Sequence, residues 1–148
     1  MDADSQAIPN DSRHPDDITP ATHPRDARSE EQARRVIEQY FPLFNRRDVH
    51  GLLDVVNFPH IRVSDTGTVL IPSPRHWTGD PTPLEKQWHH TALDSVTFVQ
   101  SDGNKAHALV VFSRFTAEGQ RYVSYATLWI VTRVEGRWGI QVRSTFAP

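Results

Sequence analysis

The sequence predicts an α+β domain in which a curved, cone-shaped antiparallel β-sheet wraps around N-terminal helices. Three observations carry this expectation. Gly103, Gly119 and Gly136 recur at near-even intervals, in the turn-forming groups Ser101-Asp102-Gly103-Asn104, Ala117-Glu118-Gly119-Gln120 and Glu135-Gly136-Arg137. Between and after them lie runs rich in β-branched and aromatic residues: Ala106 to Phe115, Tyr122 to Val134, and Trp138 to Phe146. Two stretches of helical periodicity come first. Glycine supplies the positive φ of a tight turn, so long strands bounded by Asp-Gly or Glu-Gly read as a meander of hairpins. A curved sheet around a helical layer is a common scaffold for a small-molecule pocket.

The first helix is marked by Ser29-Glu30-Glu31-Gln32, which fits a capping box with Ser29 as N-cap and Gln32 at N3. Ala33, Val36, Ile37, Tyr40, Phe41 and Phe44 then form one apolar face. Pro42 falls inside this pattern and is expected to bend the last turn. Asn45-Arg46-Arg47-Asp48 breaks the period, and Asp48 is expected to cap a second short helix through about Val56. Phe58 to Val63 alternates as a strand, Thr66-Gly67 turns, and Thr68 to Ile71 returns. Pro72, Pro74, Pro81 and Pro83 make residues 72–88 an irregular loop, with one helical turn expected at Leu84 to Trp88. Loops of this length inside a compact domain are often lids or binding loops. A third strand begins at His89 and leads into the meander.

Residues 1–27 are expected to be a disordered tail and residues 28–148 a single domain. The tail holds Pro9, Pro15, Pro20 and Pro24, with only Ile8 and Ile18 as large apolar groups. It cannot bury enough surface to offset its ordering entropy.

Bulk composition excludes several function classes. A formal net charge of −2 gives no electrostatic case for nucleic acid or an anionic membrane. With no cysteine there is no disulfide, thiolate metal site or thiol nucleophile. No apolar stretch approaches the roughly 20 residues of a membrane helix. The first residues, Met1-Asp2-Ala3-Asp4, lack a signal-peptide pattern, so a soluble cytoplasmic protein is expected.

Two further stretches carry a family resemblance. Val36-Ile37-Glu38-Gln39-Tyr40 through Asn45-Arg46-Arg47-Asp48-Val49-His50-Gly51-Leu52-Leu53 resembles two helices joined by an Asn-x-x-Asp turn, and Gly136-Arg137-Trp138-x-Ile140 resembles a closing hairpin. With the order of elements, these are similar to the nuclear-transport-factor-2-like (NTF2-like, cystatin-like) superfamily, over residues 28–147. That superfamily includes SnoaL-like polyketide cyclases, ketosteroid isomerases and limonene epoxide hydrolases, as well as ligand-binding proteins and modules without known chemistry. The resemblance implies a role for Tyr40, which matches the isomerase tyrosine that donates to the substrate oxyanion. The position of the isomerase base falls on Ser64, with Asp65 beside it, and the second isomerase acid finds no carboxylate between Val123 and Thr132. The Asp-Arg-Asp set of the epoxide hydrolases is not evident.

The candidate site follows from strand parity. If Ser64 points into the cone, a period of two brings His60 and Arg62 to the same face. A histidine titrating near neutrality beside an arginine suits a base and an anion clamp. His60, Arg62 and Tyr40 are therefore the expected catalytic groups. The competing reading has His60 bonded to backbone and Arg62 paired with a surface acid. Expected substrate contacts are Trp77 and Trp88, which flank the proline-rich loop, together with Phe44, His90 and Arg114. Only one of His89 and His90 can face inward, and one of Ser113 and Arg114 must do so. An inward Arg114 implies a carboxylate partner or an anionic ligand, because a buried arginine is costly unpaired. In the last strand Trp138, Ile140, Val142, Ser144 and Phe146 form one set, leaving Gln141 and Arg143 on the other face, expected to be an interface. His60, His90 and Asp94 have the chemistry of a two-histidine, one-carboxylate metal set, but no short ligand spacing supports one, so neither metal nor cofactor is expected.

These features lead to two expectations. One is a cofactor-free isomerase, cyclase or hydratase acting on a small, largely apolar molecule. The other is a non-catalytic ligand-binding or dimerisation module. Both faces of the Tyr125 to Ile130 segment are apolar, so a homodimer through the outer face of the sheet is expected.

Overall fold

The computed structural model describes residues 24–148. Most of the expected tail, residues 1–23, lies outside the described residues. Helix α1 (Ala27–Asn45) starts earlier than the capping box suggested. Its N-cap is Asp26, whose carboxylate accepts from the Ser29 amide at 3.1 Å. Ser29 is instead buried in the first turn. The start is tied to the sheet: the Asp26 amide donates to Ser101 Oγ at 2.7 Å, and Glu30 accepts from Ser101 Oγ at 2.6 Å and pairs with Arg25. The expected apolar face is present, with Ala33, Ile37, Tyr40, Phe41 and Phe44 buried. Arg47, at φ 55°, turns the chain away from the helix.

Helix α2 (Val49–Leu52) is a single turn capped by Asp48, which accepts from the Gly51 amide at 2.8 Å. It ends four residues short of the expected Val56, because Val56 already belongs to a strand. The strands are β1 (Val56–Ser64), β2 (Gly67–Ile71), β3 (His90–Ser101), β4 (Lys105–Phe115), β5 (Arg121–Val134) and β6 (Arg137–Ser144). Their order in the sheet is β2-β1-β6-β5-β4-β3. All neighbours are antiparallel except β1 and β6, which run parallel, so the sheet is mixed and not wholly antiparallel. The expected hairpin of β1 and β2 is present, with Ser64 opposite Gly67. At Leu84 to Trp88 the chain makes one hydrogen-bonded turn, the Trp88 amide donating to the Glu85 carbonyl at 3.1 Å, without a helix; the loop also has a short 3-10 turn at Pro74–His76.

The curved, unclosed sheet packs its inner face on α1. Phe41 stacks on Trp129 with ring centroids 5.7 Å apart, and Tyr40 meets the same indole edge-on at 5.2 Å. Asn45 fastens the helix end to the start of β3: its Nδ2 donates to the Thr91 carbonyl and its Oδ1 accepts from the Thr91 amide. Gly139 is required by a close approach. A Cβ there would lie 2.7 Å from the Asn57 side chain and 2.9 Å from the Val56 backbone.

One irregularity decides which face of β6 carries Arg143. Between β5 and β6 the register passes from Val131↔Ile140 to Ile130↔Val142, so Gln141 is an extra residue on β6. A bulge shifts the side-chain parity of everything beyond it. Strict alternation from Ile140 put Arg143 on the opposite face; the bulge brings both Ile140 and Arg143 inside, where each is buried. Among the described residues, no helix is long and apolar enough to cross a membrane.

Candidate functional site

The loop between β2 and β3 closes over the cone and is pinned at both ends by tryptophans. Trp77 Nε1 donates to the Val49 carbonyl at 2.8 Å, and its ring packs edge-on against His60 and Phe58. Trp88 Nε1 donates to Thr91 Oγ1 at 2.8 Å, with the Arg47 guanidinium 4.8 Å above its ring. Between these anchors Gly79 adopts φ 110°, a conformation that side chains rarely tolerate. It turns Asp80 into the cone.

Asp80 meets two partners there. Tyr40 donates its hydroxyl to Asp80 Oδ2, and Arg143 donates from Nη1 to Oδ2 at 2.9 Å and from Nη2 to Oδ1 at 3.3 Å. The Thr82 amide fixes the carboxylate further at 2.8 Å. The pair is buried, with side-chain exposures of 8% for Arg143 and 4% for Asp80. Arg143 lies 5.3 Å above the Tyr40 ring and 5.9 Å above Trp129. Its Nε finds no acceptor among the described residues.

A second pair is built on the same plan. Arg114, from β4, donates from Nη1 to both oxygens of Glu85 at 2.8 and 2.9 Å, and Tyr122 donates to Glu85 Oε2 at 2.9 Å. Burial pushes the Glu85 carboxyl up, but its backbone hydrogen bond, Tyr122 and Arg114 outweigh this and hold it below its ordinary value. Tyr122 is pushed up to about 12, first by burial and then by Glu85. The loop thus delivers two carboxylates into two Arg–Tyr clamps.

Around the first clamp is a narrow cleft of about 30 Å³, lined by Tyr40, Phe41, Phe44, Asp80, Thr82, Thr91, Phe112, Arg114, Trp129 and Arg143. That is room for about two waters by the usual measure. A larger crevice of about 170 Å³, bordered by Phe44, Arg47, Val49, Leu52, Thr78, Gly79 and Asp80, opens on the other side of Asp80 and Phe44.

The expected site residues divide accordingly. Tyr40, Phe44 and Arg114 line the cleft. His60 and Arg62 share the inner face of β1 and are buried, but do not line it. His60 Nδ1 is engaged with the Ile140 carbonyl at 3.0 Å. Burial, and then the charge of Arg143, push its pKa down to about 3, so the imidazole is neutral at pH 7. Arg62 donates to the main-chain oxygen of Pro148 at 2.7 Å and not to a surface acid. Burial and the charges of Arg143 and Arg114 lower its pKa. Trp77 and Trp88 anchor the loop and are absent from the cleft lining. His90 is a correction: Thr91, opposite Arg114, takes the inward position, and His90 stacks on Phe115 at 4.9 Å beside His89. Ser113 takes the outer face with Asp94 and Ser124, leaving Arg114 inward. His60, His90 and Asp94 do not meet, and no group of three or more metal-ligating side chains occurs among the described residues.

Sequence reasoning missed Asp80 and Arg143. Arg143 was hidden by the Gln141 bulge. Asp80 carried a weak signal: an acid directly after a glycine, inside a loop marked out by its prolines and its length.

A helix-filled cone of this topology is an NTF2-like, cystatin-like fold. Residues 29–145 match the family model of NTF2-like proteins (DUF6841), and the chain belongs to that family. No curated protein matches the sequence. Solved structures similar to it include a protein of unknown function with a cystatin-like fold from Nostoc punctiforme, at 10% identity and a TM-score of 0.66, covering 85% of this chain and 96% of that one. An NTF2-like protein of unknown function from Pseudomonas putida is 14% identical, with a TM-score of 0.64 and coverage of 84% and 90%. The association domain of CaMKII from C. elegans is 12% identical, with a TM-score of 0.59 and coverage of 81% and 96%. At these identities the likeness establishes the fold, and the superfamily holds both enzymes and ligand-binding proteins.

Proposed function

We propose that the domain is a SnoaL-like small-molecule enzyme whose acid–base centre is Tyr40, Asp80 and Arg143. Its substrate is a small, largely apolar carbonyl compound, and its reaction is of the isomerase, cyclase or hydratase type. The observation that carries this reading is the Arg143 Nε–H: a buried donor without an acceptor, next to the Tyr40 hydroxyl and the Asp80 carboxylate in one cleft. Phe41, Phe44, Phe112 and Trp129 supply an apolar cup. Of the trio expected from the sequence, Tyr40 remains at the centre. His60 and Arg62 act as supports behind Arg143.

The step balances with protein groups alone. Asp80 takes a proton from the carbon beside the substrate carbonyl. The C–H electron pair moves into the new C=C bond, and the carbonyl oxygen becomes an enolate oxygen. Tyr40 and Arg143 hold that developing charge, and the proton returns from Asp80 to the same or another carbon. Preorganised donors of this kind are typically the largest single contribution to such catalysis. The cleft as it stands has room for only about two waters, so substrate approaches through the crevice beyond Phe44 and enters by displacing part of the Asp80 contact.

Solvent-deuterium exchange into cyclohexanone, followed by NMR, tests the reading. The wild type should exchange α-protons above the buffer rate, and Asp80→Asn should lose about a hundredfold or more of that rate. Exchange at the buffer rate by the wild type leaves the non-catalytic binding reading.

One observation favours an assembly role beside this. Leu109 and Leu128 lie opposite each other in register and are 45% and 40% exposed on the outer face of the sheet, next to exposed Ala126. We therefore also propose a homodimer through that face.

A further inference from the structure

We propose that Glu85 occupies, in the resting protein, the place of a ligand carboxylate at Arg114, so that the cone takes small apolar organic acids and their entry releases the loop. This rests on the reading of the cleft as a substrate site and adds the class of the substrate.

Arg114 belongs to the cleft as much as to the loop. It lies on β4 opposite Thr91 and Val123, with its side chain 3% exposed, and its guanidinium sits 5.1 Å above the Tyr125 ring and 6.0 Å from that of Phe112. It lines the cleft together with Arg143 and Tyr40, whereas Glu85 does not. Glu85 uses only its Nη1, and its Nε is buried without an acceptor among the described residues. A guanidinium binds a carboxylate best through two parallel N–H bonds, so this one is underused by its internal partner. Glu85 is also the more solvent-exposed member, at 31%.

The charge balance points the same way. Arg62, Arg114 and Arg143 are all buried on the inner face, close enough for the latter two to act on Arg62. The loop returns only two carboxylates, Asp80 and Glu85. An acid whose carboxylate takes the place of Glu85 at Arg114 lays its apolar body against Phe112 and Phe41, and directs its reactive end towards Tyr40 and Asp80. The segment between Trp77 and Trp88 then loses its Glu85 contact but keeps both anchors, which makes it a latch fixed at two ends.

The probes are benzoate and its neutral counterpart benzamide, titrated into the full chain by calorimetry. Wild type should bind benzoate in the millimolar range and benzamide at least about tenfold more weakly, as expected when a charge-assisted pair is lost. Glu85→Gln removes the internal competitor and should tighten benzoate by about tenfold, because a larger fraction of the protein is binding-competent. Benzoate should also raise hydrogen exchange across residues 78–87. The double variant Glu85→Gln/Arg114→Gln, which leaves no unpaired charge, should lose benzoate binding; Tyr122→Phe, a milder weakening of the latch, should tighten it. Unchanged or weaker benzoate binding in both Glu85→Gln and Tyr122→Phe overturns the proposal. So does equal affinity for benzamide, or no benzoate binding by wild type and Glu85→Gln. Benzoate binding that follows these predictions while Asp80→Asn leaves deuterium exchange intact would retain the carboxylate site and remove the acid–base reading instead.

Discussion

His60 shows how burial can decide what a residue does. The residue is 1% exposed, its ring bonded to a main-chain carbonyl and close to a permanent positive charge. Such an imidazole resists protonation and makes a poor physiological-pH base. It also imposes a pH dependence on stability. The folded-state pKa of about 3 lies below the ordinary 6.5, so the unfolded chain binds the proton first. The contribution of neutral His60 is therefore fully present above about pH 6.5 and is lost as pH falls towards 3, by about 1.4 kcal/mol per unit. Urea denaturation between pH 6.5 and 5 should show this slope in wild type and a flatter one in His60→Gln. Parallel slopes would show that His60 titrates normally in the fold. The sequence placed His60 and Arg62 on the inner face correctly, because a period of two survives over so short a span. It could not tell lining from support, since that depends on what Trp77 and Arg143 bring against the ring.

At the scale of elements, the strands and α1 were legible because their signals are local: glycine turns, β-branched runs and a helical apolar stripe. The features that failed are those in which tertiary contacts choose between local options. Asp26 and Ser29 are both good caps, and the contact of the Asp26 amide with Ser101, 75 residues away, accompanies the earlier start. The Gln141 bulge has no turn residue to announce it, yet it decides that Arg143 enters the cone. The cap has a measurable consequence. A chain beginning at Pro24 should keep the melting temperature of the full chain. One beginning at Arg28 loses Asp26, the Arg25 partner of Glu30 and the Ser101 contact. Loss of a cap alone costs about 1 kcal/mol, or several degrees in a domain of this size. Equal melting temperatures for the two chains would place the true start of the domain at the Ser29 capping box.

For the whole molecule, the proposals fall on two surfaces of the cone. The outer one carries Leu109 and Leu128, exposed and opposite each other. Sedimentation equilibrium at micromolar concentration should give a dimer, and Leu128→Glu should shift it to monomer; a monomeric wild type would leave this patch without the proposed role. The inner surface concentrates three arginines under a loop that supplies two acids, with a gap in the donor pairing at Arg143 and Arg114. In the proposed mechanism Asp80, and not His60, is the proton-transfer group of this cone. Deuterium exchange into cyclohexanone, measured side by side in Asp80→Asn and His60→Gln, tests it most directly. The expected result is a loss of about a hundredfold in Asp80→Asn and near wild-type exchange in His60→Gln. Full exchange in Asp80→Asn with loss in His60→Gln would contradict it.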